Sequence, residues 1–174
     1  MLMKAMEGSA LVKGIIFLYC RPIDEECVQN GISEFKDNEC DSLVTLGDGS
    51  AFELGNSIRM KLEQERGLNN GFTFIAVPTA SSGSEITGEA DLVVLDPKLA
   101  LNLSVRDTVM SALDILCHGI EAYTSVKKNP VSDAYAFSAI KLTAESLPVI
   151  VKKCRDKKAR NSLSNGALLS GMGF

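Results

Sequence analysis

The sequence predicts an α/β unit with a mainly parallel sheet over residues 1–105, followed by an all-helical unit over residues 106–174. Two patterns lead to this division. In the first part, short apolar runs alternate with helical patterns, which is typical of parallel strands connected by helices. After residue 105 no strand pattern follows, and apolar residues recur at helical spacing. A chain of 174 residues with 45% hydrophobic residues is also long and apolar enough to form a packed core.

The first part contains two predicted helices and three predicted strands. Residues 25–37 carry apolar side chains at the i, i+4 and i+7 positions of one helix face. Residues 42–46 form a short strand that runs into a glycine-rich turn, and residues 50–66 can form the helix that follows. Residues 72–77 and 92–95 are the second and third strands, because each is a short apolar run that ends close to a proline.

Three helices are predicted in the second part. The first carries apolar residues at helical spacing between residues 105 and 120, and Pro130 marks the start of the second, over residues 132–151. The third covers residues 156–174. It is apolar and has no polar cap, so we expect a homo-oligomer or a partner that covers it. The residues of that expected contact are Leu168, Leu169, Met172 and Phe174.

Charge and composition exclude several classes of protein. With 18 Lys+Arg against 22 Asp+Glu, the net charge is −4, which argues against a nucleic-acid binder. Six basic residues between Lys152 and Arg160 form a cluster that we expect to be a solvated face. The longest purely apolar run, residues 15–20, is too short to span a bilayer, and no signal-peptide pattern is present, so we expect no membrane association.

Histidine and cysteine content limits the possible metal sites. His118 is the only histidine, so no site can take two or three imidazoles from this chain. The five cysteines are odd in number and none are spaced Cys-x-x-Cys, so we expect neither a zinc ribbon nor a disulfide framework. Together these observations favour a reducing cytoplasm.

Two loops that follow predicted strands are candidate ligand sites. The turn with Gly47, Gly49 and Ser50 lets the backbone approach a ligand, and the helix after it offers free N–H groups to a phosphate. It lacks the spacing of a Rossmann or P-loop fingerprint, so a simple turn is the alternative. The hydroxyl-rich loop with Thr79 and Ser82 follows the second strand, at the edge where open α/β sheets bind ligands. An ordinary capped loop is the alternative there.

Asp114 and His118 are the candidate metal ligands. They are four residues apart on a predicted helix, so a carboxylate and an imidazole share one face, close enough to bind the same ion. A surface ion pair is the alternative. Two ligands fall short of the three that a catalytic zinc normally takes from the protein.

The segment that contains this pair resembles the metal-helix signature of the iron-containing (group III) alcohol dehydrogenase family. Residues 111–125 show the family's Asp, a His four residues later and then Glu-Ala-Tyr. Further segments resemble the family in the same order along the chain: residues 75–79, 83–87, 96–97, 129–133 and 169–174. A relative of the glycerol dehydrogenase or dehydroquinate synthase type is a third interpretation, which the Glu-Ala-Tyr context fits less well.

This resemblance implies a nucleotide-binding α/β domain, a helical metal-binding domain and an active site in the cleft between them. The implied activity is hydride transfer between NAD or NADP and a small alcohol or aldehyde, with Fe or Zn polarising the oxygen. Asp114 and His118 would be metal ligands. The implied cofactor-binding residues are Gly47, Gly49 and Ser50 at the pyrophosphate and Thr79 and Ser82 close by.

Departures from the family pattern leave a second hypothesis open. Asp48 stands where the family has a glycine, which places a negative charge beside the diphosphate site. The chain ends at Phe174, before the two further histidine ligands of the family, so the resemblance implies a truncated metal domain and a shortened α/β domain. The alternative function is therefore a catalytically inactive relative that acts as a binding or assembly subunit.

Overall fold

The computed structural model describes residues 24–66, 72–80 and 90–173. The helices and strands, in chain order, are α1 (Glu25–Asp37), β1 (Ser42–Gly47), α2 (Gly49–Arg66), β2 (Thr73–Pro78), β3 (Leu92–Val93), a short 3-10 helix (Leu99–Asn102), α3 (Val105–Thr124), α4 (Pro130–Lys152) and α5 (Lys157–Gly173). Every predicted helix and strand is found, with ends shifted by at most two residues except in α3, which continues four residues beyond residue 120. The 3-10 helix was not predicted, and the third strand is shorter than expected.

The three strands form a parallel sheet in the order β1-β2-β3, which confirms the predicted α/β class. The register pairs Ser42 with Thr73 at one end and Gly47 with Pro78 at the other. In a parallel sheet the carboxyl ends of all strands lie at one edge. The two loops that the sequence singled out therefore begin side by side, directly after Gly47 and Pro78.

Helices α1 and α2 pack on each other through an apolar cluster. Its buried members are Val28, Ile32, Phe35, Ile58 and Leu62. The first three are the side chains of the predicted apolar face of α1, so that face is confirmed. Asp24 begins α1, because its Oδ1 atom accepts a hydrogen bond of 3.0 Å from the Cys27 N–H and satisfies one of the free donors at the helix start.

Helices α3, α4 and α5 pack together closely, and glycines permit the approach. A side chain at Gly119 of α3 would come within 2.9 Å of Ile140 in α4, and one at Gly166 of α5 would come within 2.9 Å of the Thr143 hydroxyl. The main cluster of this bundle contains Ala112, Ile115, Ala139, Ile150, Ala159, Leu163 and Ala167.

The buried face of α3 is not its most apolar stripe. Its buried residues are Thr108, Ser111, Ala112, Ile115, Gly119 and Ala122, most of which are small. Val105, Leu113 and Ile120, which belong to the apolar stripe read from the sequence, are exposed by 37%, 48% and 53%. The predicted helical spacing of α3 is therefore confirmed. Its interior residues are mostly small, because α4 and α5 approach this helix closely.

Arg160 corrects the expectation of a solvated basic face. Its side chain is only 1% exposed, whereas the lysines of the same cluster are exposed. Its guanidinium donates hydrogen bonds to the Thr108 hydroxyl at 2.7 Å, to the Leu103 carbonyl at 3.1 Å and to the Cys154 carbonyl at 2.9 Å. Burial lowers the pKa of Arg160 from its usual value. These contacts join α5 to the start of α3.

One further observation concerns α4. By length and composition alone, α4 could cross a membrane, a test that core helices of soluble proteins also pass. It packs against both α3 and α5, with Ala139 and Ile150 in their shared core.

Cys27 is disulfide-bonded, whereas Cys40, Cys117 and Cys154 are free. The bond at Cys27 was not predicted, because spacing along the chain does not show which cysteines meet in the fold; one bonded cysteine is not the disulfide framework that the sequence argued against.

Candidate functional site

The carboxyl edge of the sheet brings together four of the five residues predicted to bind a cofactor. Gly47 ends β1, Gly49 and Ser50 begin α2, and Thr79 follows β2. The Thr79 N–H donates a 2.7 Å hydrogen bond to the Gly47 carbonyl, which joins the two loops. A side chain at Gly47 would lie within 2.5 Å of the Ala51 Cβ atom, so this position needs glycine. Ser82, the fifth predicted residue, lies outside the described residues.

Asp48 begins α2 as its N-terminal cap. Its carbonyl accepts hydrogen bonds from the N–H groups of Ala51 and Phe52, and its carboxylate accepts from the Ser50 N–H at 3.2 Å and from the Ser50 hydroxyl. The Ser50 hydroxyl, helped by backbone N–H groups, holds the pKa of the Asp48 carboxyl below its ordinary value, against the opposing effect of partial burial. Aspartate before a helix is a recognisable capping signal, and the sequence reading missed it.

Beside this turn lies a shallow surface recess with essentially no enclosed volume. It is lined by Thr45, Gly47, Asp48, Phe52, Ala76, Val77 and Pro78. Sites that enclose a ligand of drug size are roughly 300–1,000 Å³, so the recess is too small to enclose a nucleotide. The turn therefore lies where a phosphate could bind, and its glycines allow close approach of the backbone. The Asp48 carboxylate, however, already occupies the start of α2.

Asp114 and His118 lie one turn apart on the same face of α3, as the sequence predicted. Asp114 is exposed, whereas His118 is partly buried and its Nδ1 atom is shielded from solvent. Ile115 and Gly119, their neighbours along the chain, are buried between α3 and the rest of the bundle. Because this adjacent face of α3, about 100° around the helix, is packed, the backbone that carries both side chains is held in place.

The donor set of this pair fits a divalent metal ion. Carboxylate oxygen and imidazole nitrogen are common ligands of zinc and of non-haem iron, and residues at i and i+4 of a helix can reach the same ion. Cys117 is free and exposed, but it lies about 100° around the helix from His118. Within the described ranges, no three or more His, Cys, Asp or Glu side chains are grouped to hold a metal ion.

A cleft of about 470 Å³ opens at the carboxyl end of α3 and was not predicted. It is lined by Glu121, Ala122, Ser125, Lys127, Lys128, Asn129, Ser132, Met172 and Gly173. Glu121 follows His118 by three residues and Asp114 by seven, so it lies on the same helix face as these two residues. Lys128 sits 3.7 Å from the Asp133 carboxylate and 4.8 Å from the ring centre of Tyr123, which fixes one positive charge in the cleft wall.

Met172 is half exposed in this cleft wall, and Leu168 and Leu169 are partly buried. Phe174, the last of the predicted contact residues, lies outside the described residues. The rest of α5 packs on α3 and α4.

The chain is similar to known proteins over its helical part. The family model of the Fe-containing alcohol dehydrogenase family, C-terminal, matches residues 108–174, which include both Asp114 and His118. Long-chain-alcohol dehydrogenase 1 of Geobacillus thermodenitrificans is 29% identical over 91% of this chain and 49% of its own length. The NAD-dependent methanol dehydrogenase of Bacillus methanolicus is 28% identical over 88% of this chain and 48% of its own length.

The fold is also similar to solved structures. The iron-containing alcohol dehydrogenase of Thermococcus thioreducens superposes with a TM-score of 0.78 and 28% identity, over 92% of this chain and 51% of that chain. This chain therefore spans about half the length of the relatives that it matches.

Proposed function

Because the chain belongs to the iron-containing alcohol dehydrogenase family, we propose that it supplies a metal-binding pair and a cofactor-binding sheet edge to an oxidoreductase that acts on alcohols or aldehydes. The relatives are dehydrogenases of this kind, and they do not favour the alternative of a non-catalytic assembly subunit. The observation that carries the proposal is the placement of Asp114 and His118 on one face of a helix whose adjacent face is packed.

In this proposal Asp114 offers a carboxylate oxygen and His118 an imidazole nitrogen to Fe or Zn. Such an ion acts as a Lewis acid, which lowers the energy of negative charge on the substrate oxygen during hydride transfer. The packed face of α3 holds the backbone that carries the two donors, so the helix need not become ordered when the ion binds. Donors beyond this pair come from outside the described residues.

The cofactor in this proposal is NAD or NADP, with its diphosphate at the turn between β1 and α2. Gly47 and Gly49 allow close approach of the backbone, and Thr79 is held beside them by its hydrogen bond to the Gly47 carbonyl. Ser50 and Ser82 complete the set of proposed cofactor-binding residues. The support from relatives is that one of them is an NAD-dependent methanol dehydrogenase.

The proposed substrate is a small alcohol or aldehyde, which is the kind of compound named for the methanol dehydrogenase. The cleft beside Glu121 has room for such a molecule, and Glu121 lies on the same helix face as Asp114 and His118. We also propose that the half-exposed Met172 faces a second copy or a partner chain.

The test of this proposal is a metal-dependent assay. The chain is supplied anaerobically with Fe(II) or Zn(II), and oxidation of NADH is followed with and without propanal. We expect a rate that requires both propanal and metal, that disappears in Asp114→Asn and His118→Gln, and that is retained in Cys117→Ser as the matched control. A wild-type chain without any metal-dependent rate would contradict the oxidoreductase proposal.

A further inference from the structure

We propose that Asp48 is an internal anion that occupies the start of α2 and weakens the binding of a dinucleotide diphosphate there. The inference rests on the proposed function, because it concerns the same cofactor turn. On this inference Asp48 lowers the affinity for the cofactor, whereas the cofactor-binding residues proposed above would contact it.

The hydrogen bonds at the turn show the competition. A phosphate at a helix start is bound by backbone N–H groups and by nearby hydroxyls. In this chain the Asp48 carboxylate already accepts from the N–H and from the hydroxyl of Ser50. A diphosphate can use these donors only after the carboxylate is displaced, and the α2 cap is lost with it.

Charge adds to this competition. Residues 47–58 contain no lysine or arginine, so the first turns of α2 supply no side-chain cation against the charge of Asp48. The next basic residue is Arg59, and its guanidinium is already paired with Glu63 at 2.7 Å and with Asp91 at 3.6 Å. A diphosphate at the turn therefore meets a carboxylate at close range, and like charges at such a distance repel each other even in water.

Removal of the Asp48 side chain would leave a turn without side chains at residues 47–49. The backbone around it consists of Gly47 and Gly49, neither of which carries a side chain. Thr79 stays anchored to the Gly47 carbonyl through backbone atoms alone, at 2.7 Å. Substitution of Asp48 by glycine thus restores a turn of small residues without removing the contact between the two loops.

The experiment measures binding and does not depend on turnover. Binding of NADH, of adenosine diphosphate and of adenosine is titrated by calorimetry at fixed ionic strength for the wild-type chain and for three variants. Asp48→Gly removes both the charge and the cap. Asp48→Asn removes the charge and keeps a capping oxygen, so it tests the charge in a folded chain even if the glycine variant is unstable. Glu145→Gln, at an exposed position of α4, changes the net charge by the same amount.

We expect Asp48→Gly to bind NADH and adenosine diphosphate about tenfold more tightly than the wild-type chain. We expect a smaller gain in Asp48→Asn, and no gain in Glu145→Gln. Adenosine, which has no phosphate, should show no gain with any variant. Circular dichroism checks that α2 remains folded.

Two results would overturn the inference, and they differ in what they say of the proposed function. If all four chains bind NADH equally well, Asp48 does not compete with the cofactor, while the cofactor site itself stands. If none of them binds NADH or adenosine diphosphate, the inference and the proposed cofactor site both fail.

Discussion

Replacement of Arg160 by methionine should destabilise the chain by about 3 kcal/mol. The buried guanidinium makes three hydrogen bonds, to Thr108, Leu103 and Cys154. Hydrogen bonds from a charged donor are worth about 1.5–3 kcal/mol each, but removal of a guanidinium from water offsets much of this. A net value of about 1 kcal/mol for each bond gives the estimate, and methionine fills similar space without restoring any of the three.

The assay is urea denaturation followed by circular dichroism, with Arg155→Met as the matched control. Arg155 is exposed, and its guanidinium is 3.5 Å from the side-chain oxygen of Asn102. Its loss should change the free energy of unfolding by less than about 0.5 kcal/mol. A double-mutant cycle with Thr108→Val should give a coupling of about 1 kcal/mol, since Arg160 and Thr108 are in direct contact.

A loss below about 1 kcal/mol in Arg160→Met would refute this reasoning. It would mean that the cost of burying the guanidinium cancels its hydrogen bonds, as happens with some buried ion pairs. An equal loss in Arg155→Met would show that the effect follows from charge rather than from the buried contacts.

Three further predictions concern the sheet and its two helices. Gly55→Ala should lower stability by about 1–3 kcal/mol, because a Cβ atom there would clash with Thr45 and Phe74; an unchanged melting temperature would contradict this. Leu62→Ala should cost about 2–5 kcal/mol in urea denaturation, since Leu62 is fully buried between α1 and α2; a loss below about 1 kcal/mol would show that the cluster collapses around the gap. The folded pKa of Asp48 lies below the ordinary 3.8, so its ionised carboxylate stabilises the chain above that pH, and this contribution disappears as the pH falls through the folded pKa. The difference in melting temperature between the wild-type chain and Asp48→Asn should therefore shrink below about pH 4, and a constant difference would contradict a stabilising role of the carboxylate charge.

Local patterns were sufficient to predict the elements of the fold. Alternation of strands with helices implies a parallel sheet. The i, i+4 spacing of Asp114 and His118 places them on one helix face. Both features could be predicted because each depends on residues that are close in sequence. The buried face of α1 followed in the same way, since only one of its faces is apolar.

Features that depend on distant contacts were not predictable from the sequence. Arg160 lies in a basic cluster, and nothing in its neighbourhood shows that Thr108 and Leu103 will surround it. The small residues of α3 face inward because α4 and α5 approach closely, which the apolar stripe with Leu113 and Ile120 does not show. The division into units at residue 105 and the cofactor-binding residues remain predictions.

The measurement that tests the account most directly is the metal content of the purified chain. The protein is prepared anaerobically with Fe(II) or Zn(II) supplied, and bound metal is counted by plasma mass spectrometry for the wild-type chain, Asp114→Ala, His118→Ala and Cys117→Ser. We predict about one metal ion per chain in the wild type and in Cys117→Ser, and loss of the ion in both other variants. A wild-type chain that retains no metal, or retention of metal in Asp114→Ala and His118→Ala, would contradict the assignment of this pair as metal ligands.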